Sequence, residues 1–245
     1  MSVAIKFDHV VKSFSDHTFL TGGLKNFVLN GAKASQFRRD HLVLDDVSFE
    51  IEHGSTVGFV GRNGAGKSTL LALIADIMKP DSGKITVDGR VSSMLELGAG
   101  FHPDLSGREN IELYGVVLGF LRREVARRFD AIVDFAELEE HIDTPIRFYS
   151  SGMLARLGFA VISQLDPEIL LVDEVLAVGD HAFQTKCMDV IQRFRASGGT
   201  IVLISHVAKD ITTLCDRAFW LQNHRIAASG DPTDVMQQYL AATAP

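Results

Sequence analysis

The run Gly61-Arg62-Asn63-Gly64-Ala65-Gly66-Lys67-Ser68-Thr69 fits the pattern Gly-x-x-x-x-Gly-Lys-Ser. Glycines in such a loop let successive backbone amides turn inward around phosphate oxygens, and a helix that follows aims its positive dipole end at the same point. Lys67 is placed to hold the outer phosphates and Ser68 to ligate magnesium. The chemistry requires a strand before the loop and a helix after it. Thr56–Val60 reads as that strand, and Ser68–Ile77 carries apolar residues at helical spacing.

A second acidic element is Glu168-Ile169-Leu170-Leu171-Val172-Asp173-Glu174, an apolar strand ending in two carboxylates. Ligands of parallel sheets collect at the carboxyl ends of the strands. Asp173 can therefore reach magnesium through water, and Glu174 can orient or activate the attacking water. Ser150-Ser151-Gly152-Met153 stands where another helix begins, either as an anion-binding helix start or as an ordinary N-cap. His206 directly follows the apolar strand Thr200–Ile204 and has a functional and a structural reading.

These residues need a scaffold, and the patterning supplies one. The first ten residues alternate like a half-buried strand, and Leu42–Ile51 reads as another. Pro80-Asp81-Ser82-Gly83 is a turn cluster, followed by two strands, Ile85–Val87 and Val91–Leu95, around Asp88-Gly89. From 98 to 149 the chain is mostly helical. Ser106 followed by Glu109 has the form of a capping box ahead of Ile111, Tyr114 and Leu118. A helix over about Arg122 to Phe135 puts Val125, Phe129, Ile132 and Val133 on one side and Arg122, Arg123, Arg127 and Arg128 on the other. That basic face is a solvated surface or one that meets lipid head groups. Helices over about 152–164 and 181–196 then alternate with the strands Ile169–Val172 and Thr200–Ile204, which predicts a mainly parallel sheet covered by helices. A hairpin of Ala218–Leu221 and Arg225–Ala228 and a helix from about Pro232 close the chain. Within the polar stretch 15–41, Leu20, Leu24, Phe27 and Val28 form the stripe of a short amphipathic helix, packed on its own domain or docked on a partner.

At 245 residues and 46% hydrophobic, the chain can bury a sizeable core. With 24 basic and 31 acidic residues its net charge is -7, which argues against a broad grip on nucleic acid. No apolar run is long enough to span a bilayer, the N-terminus has no signal-peptide pattern, and Cys187 and Cys215 form no Cys-x-x-Cys pair. The expectation is a cytoplasmic protein with reduced thiols.

The order of phosphate loop, helical insertion, serine-glycine helix start, strand with Asp-Glu and strand with Ser-His resembles the ATP-binding-cassette ATPase family over nearly the whole chain. That resemblance implies a P-loop NTPase with a RecA-like core, an N-terminal antiparallel β-subdomain and an inserted α-helical subdomain. The division it implies is an ATP-binding core of residues 1–97 and 155–245 and a helical subdomain of 98–154. It further implies that Tyr149-Ser150-Ser151-Gly152-Met153 is the family signature, commonly Leu-Ser-Gly-Gly-Gln. This signature would contact the terminal phosphate of ATP held by a second copy, so that two ATP molecules lie sandwiched in a homodimer. By the same carry-over Phe14 stacks on adenine, Asp180 joins the two sites, His206 touches the terminal phosphate and Glu174 is catalytic. The family's magnesium-touching glutamine falls here on Glu96 or on Leu97.

Leu95-Glu96-Leu97-Gly98-Ala99-Gly100-Phe101, the Tyr-Ser-Ser-Gly-Met signature, Val175-Leu176-Ala177-Val178-Gly179-Asp180 and the long 15–41 connection closely resemble the ATPase subunits of bacterial polysaccharide exporters. The implied activity is hydrolysis of ATP with magnesium, driving lipid-linked O-antigen, capsule or teichoic acid across the inner membrane. The implied partners are a second copy and a polytopic permease, with the chain peripheral at the cytoplasmic face. Some O-antigen members carry a C-terminal carbohydrate-binding domain, so this chain reads as the shorter type or as a truncated piece. A cassette ATPase acting on DNA or the ribosome is disfavoured by the acidic balance and the lack of a heptad arm. A P-loop GTPase or kinase lacks Asn-Lys-x-Asp and leaves 149–153 and His206 without a role.

Overall fold

The computed structural model describes residues 2–15, 40–94, 100–165, 167–173, 181–205 and 207–243. Its centre is a six-stranded sheet built from β3 (Thr56–Val60), β5 (Val91–Ser93), β6 (Ile169–Val172), β7 (Thr200–Ile204), β8 (Arg217–Gln222) and β9 (Arg225–Gly230). The order is β5-β6-β7-β3-β8-β9, parallel except for the β8–β9 hairpin. β3, β6 and β7 are buried at every residue. Alternation sends neighbouring side chains of one strand into two different cores. Leu170, Val172, Ile201, Leu203, Ala218 and Trp220 join the helical side. Ile169, Leu171, Val202, Ile204, Phe219 and Leu221 join the opposite side. Both faces are thus covered, which explains why these strands read as continuous apolar runs.

The second core lies between this sheet and a three-stranded antiparallel sheet of order β2-β1-β4, formed by β1 (Val3–Ser15), β2 (Asp40–Glu52) and β4 (Ser82–Val87). Phe7 stacks on Phe49 at 4.5 Å between centroids, and Phe49 lies 5.3 Å from both Phe59 and Phe219, joining the two sheets through aromatic contact. The strands around Asp88-Gly89 are both present but enter different sheets, β4 beside β1 and β5 beside β6. Gly89 carries the chain across because it passes against Glu168, whose carboxylate accepts the Arg90 amide.

The helices follow the expected order, with one earlier end. α1 (Lys67–Ile74) stops short of the predicted Ile77 because Asp76, at φ 57°, takes the left-handed conformation that breaks the hydrogen-bond ladder. α2 (Gly107–Val117), α3 (Arg122–Ala136) and α4 (Ser151–Gln164) form the helical region. The Ser106 hydroxyl accepts the Glu109 amide and the Glu109 carboxylate accepts the Ser106 amide, so the predicted capping box is present. α5 (His181–Ala196) and α7 (Pro232–Thr243) stand as expected. A short α6 (Ala208–Leu214), absent from the sequence reading, packs on β3 at Gly58, where a Cβ would lie 2.8 Å from Ile211 and 2.9 Å from Cys215. Cys187 and Cys215 are free and buried, and burial pushes both thiols up to about 12, so they stay protonated. The stripe Leu20, Leu24, Phe27 and Val28 lies outside the described residues.

Candidate functional site

β3 delivers the chain to its carboxyl end, where residues 61–66 turn into α1. Gly64 (φ 80°) and Gly66 (φ 103°) adopt left-handed conformations that other residues resist. Gly66 is constrained twice over, since a Cβ there would lie 2.7 Å from the Val43 carbonyl oxygen. It precedes α1 without any side-chain cap, and the first turn of α1 holds no acidic residue, so the positive end of the helix faces the loop unneutralised. Lys67 is only 7% exposed. Its ammonium donates to the Gly61 carbonyl (2.8 Å) and the Arg62 carbonyl (3.2 Å), which draws the loop into a ring around a positive charge.

Asp173 directly follows β6. β7 separates β6 from β3, and the rungs Val172–Leu203 and Phe59–Ile204 bring all three carboxyl ends level. The result is one cavity of about 520 Å³ lined by Val43, Asn63, Gly64, Gly66, Lys67, Ser68, Thr69 and Asp173. Amides and a lysine on one wall suit phosphate. The Ser68 hydroxyl and the Asp173 carboxylate are hard oxygen donors suited to magnesium, whose remaining ligands would be phosphate and water oxygens. Among the described residues there is no group of three or more His, Cys, Asp or Glu that could hold a metal ion.

The remaining predicted residues lie in different places. Arg62 and Ala65, with Asn63 and Gly64, wall a second cavity of about 240 Å³ against Trp220, His224 and Thr243. Phe14 stands near the end of β1 opposite His41, 42% exposed, with the Lys12 ammonium 5.7 Å from its ring centre. It is not part of the cavity wall, although Val43, two residues beyond His41, is. Glu96, Leu97, Glu174, Asp180 and His206 lie outside the described residues. Beside the last of these, the Ser205 hydroxyl donates to Asp210 and accepts the Val207 amide.

Ser150, Ser151, Gly152 and Met153 form the start of α4, and none of them lines the loop cavity. The Ser150 hydroxyl accepts the Met153 amide at 3.2 Å, and Ser151 is exposed. The chain leading to Ser150 is laddered onto the chain leading into α2: the amides of Arg108, Ile146 and Arg147 donate to the carbonyls of Ile142, Leu105 and Pro103. Arg108–Asp143 and Arg147–Asp104 ion pairs flank the ladder. Asn110, fully buried, accepts the His102 amide and donates to the carbonyls of His102, Leu105 and Ser106. The Tyr149 hydroxyl donates to the His141 carbonyl at 2.7 Å and presses on Gly107, and burial raises its pKa. Val43, Asn110 and this use of Tyr149 were missed by sequence reasoning. A buried-type Asn in the first turn of a helix is the one local hint among them.

The family model described as "ABC transporter" matches residues 44–177. The O-antigen export system ATP-binding protein RfbB of Klebsiella pneumoniae is 48% identical over 246 residues, covering all of both chains. The teichoic acids export ATP-binding protein TagH of Shouchella clausii is 42% identical over 84% of this chain and 57% of its own length. A dimeric, post-hydrolysis ATP-binding cassette bound to ADP and Pi superposes with a TM-score of 0.72 at 20% identity, over 93% of this chain and 98% of that one. That last likeness is one of fold.

Proposed function

This chain belongs to the ABC transporter family, and from that premise we propose that it is the ATP-hydrolysing subunit of an exporter that drives a lipid-linked polysaccharide, O-antigen above all, across the bacterial inner membrane. The observation that carries the reading is the single cavity shared by the glycine loop, Lys67, Ser68 and Asp173 at the carboxyl ends of the parallel strands. The choice of O-antigen over teichoic acid or capsule is supported by the relative that matches from end to end. No described helix is long and apolar enough to cross a membrane; the proposed partner is a polytopic permease to which this chain is peripheral.

In this reading residues 1–97 and 155–245 bind ATP and 98–154 form the helical subdomain, with α4 running across the second boundary. The loop amides from Gly61 to Thr69 and the Lys67 ammonium hold the phosphates. Ser68 and Asp173 would hold magnesium, which would offset negative charge on the phosphates; Glu96 or Leu97 would fill the family's glutamine position. Phe14 packs on the adenine. Glu174 orients the water that attacks the terminal phosphorus and takes its proton as the bond to ADP breaks. His206 steadies the terminal phosphate, and Asp180 links the two sites of the homodimer. Ser150, Ser151, Gly152 and Met153 have no place in their own chain's cavity, which supports their meeting the phosphate bound by a second copy.

Glu174→Gln provides the test. The variant should retain ATP binding, lose most turnover and accumulate as an ATP-bound dimer in light scattering. Wild-type hydrolysis rates would overturn the assignment of Glu174, and a monomer at saturating ATP would overturn the sandwich. Substitutions over Phe101–Leu105, in the ladder beside the signature, should reduce polysaccharide export more than basal hydrolysis.

A further inference from the structure

Several of the described arginines are held in ion pairs. Arg108, Arg147, Arg156, Arg195 and Arg225 each have a carboxylate partner. The first half of α3 breaks that habit. Arg122, Arg123, Arg127 and Arg128 are all exposed, and the first three pair with no carboxylate among the described residues. The nearest acid within the helix, Glu124, is spent elsewhere: its carboxylate accepts the Leu121 amide at 2.7 Å and lies 3.8 Å from Arg90. Asp130 and Asp134 sit in the second half of the helix, with Asp130 near Arg108. Arg122 and Arg123 thus lie in the first turn, at the positive end of the helix dipole where cations are least favourable, and Arg127 and Arg128 follow about one turn on. A chain with a net charge of -7 has no solubility reason to collect them there.

The turn that leads into these arginines is apolar and open. Val117 is 62% exposed and Leu121 is 52% exposed, with Val116 and Leu113 exposed behind them on α2. Gly119, at φ 87°, makes the turn and meets nothing around its missing side chain. A small apolar tip beside four exposed arginines matches a surface of hydrocarbon beneath anionic head groups, with the stems of the arginines lying along the boundary. We propose that the α2–α3 turn and the arginine face of α3 bind the surface of an anionic phospholipid membrane. None of these residues lines the nucleotide cavity, so the contact is separate from ATP binding and seats the ATPase against the bilayer independently of any protein partner.

The full chain, purified alone, is mixed with vesicles of phosphatidylcholine or of phosphatidylcholine with phosphatidylglycerol, and bound protein is measured by sedimentation. Binding should favour the anionic vesicles, fall steeply as salt rises, and drop on the order of a hundredfold in Arg122→Ala/Arg123→Ala/Arg127→Ala/Arg128→Ala. Replacing the same four by lysine should keep most of it, while Val117→Ser/Leu121→Ser should weaken it less than loss of the charges. Basal ATP hydrolysis should be unchanged in every variant, which also reports that they fold. Equal binding to both kinds of vesicle would overturn the proposal, as would wild-type binding by the alanine variant. Association with anionic vesicles only when they carry the permease would overturn it in favour of an acidic protein partner.

Discussion

Two helices of this protein begin at motifs that the sequence offers as anion sites, and they begin in different ways. α1 starts behind a left-handed glycine with no side-chain cap, and its lysine, loop amides and neighbouring Asp173 converge on one cavity. α4 starts behind Ser150, whose hydroxyl satisfies one of the helix's own amides, and its first residues line no part of the loop cavity. The first start is a site assembled by its own strands. The second is a finished helix end, which the proposed dimer would turn into a site by bringing another surface to it.

The sharpest way to break this contrast is at Lys67. Lys67→Ala should weaken ATP binding by about 3 kcal/mol, roughly a hundredfold in Kd, in the isolated monomer. Ser150→Ala in the same assay should leave monomer affinity unchanged while lowering turnover; equal loss of affinity in both would make the two starts equivalent. Gly66→Ala forces a strained φ and a clash with the Val43 carbonyl, and should cost about 2 kcal/mol of stability together with nucleotide binding, read by thermal unfolding with and without ATP.

Smaller effects sharpen the comparison. Ser150→Ala should cost about 1 kcal/mol of stability through the lost cap. Tyr149→Phe, which removes only the hydroxyl bond to His141, should cost about 1 kcal/mol or less and lower turnover without touching monomer affinity. On the nucleotide side, Asp81 clasps the end of β1 next to Phe14. The Lys12 ammonium and the Ser13 hydroxyl and amide hold its carboxyl down to about 2. Because its folded pKa lies below the unfolded one, Asp81 stabilises the fold above about pH 4, and that contribution is lost as pH falls toward 2. The carboxylate is partly exposed, so Asp81→Asn should cost less than about 1 kcal/mol at neutral pH, and denaturation curves of variant and wild type should converge in acid.

Legibility in the sequence followed distance along the chain. The phosphate loop, the Ser106–Glu109 box and the Ser150 cap are each closed within a few residues, and each was readable. β3, β6 and β7 were readable because burial on both faces leaves them apolar apart from the threonine that opens β3 and β7. The strands around Asp88-Gly89 were found, but their separation into two sheets lies in their pairing with β1 and β6, both distant in the chain. The early end of α1 depends on one left-handed residue that periodicity does not register.

The sequence by itself determined that a glycine loop would lie between a buried strand and a helix, that Asp173 would end another buried strand, and that a capped helix would begin at Ser150. These are consequences of local backbone freedom, local capping and apolar patterning. Only the tertiary structure decided that Asp173 and Ser68 share one cavity while Ser150 does not, that Val43 walls it, and that Asn110 and Tyr149 brace the approach to the signature. Those outcomes rest on strand order and on hydrogen bonds between distant segments, and no short stretch of sequence carries that information.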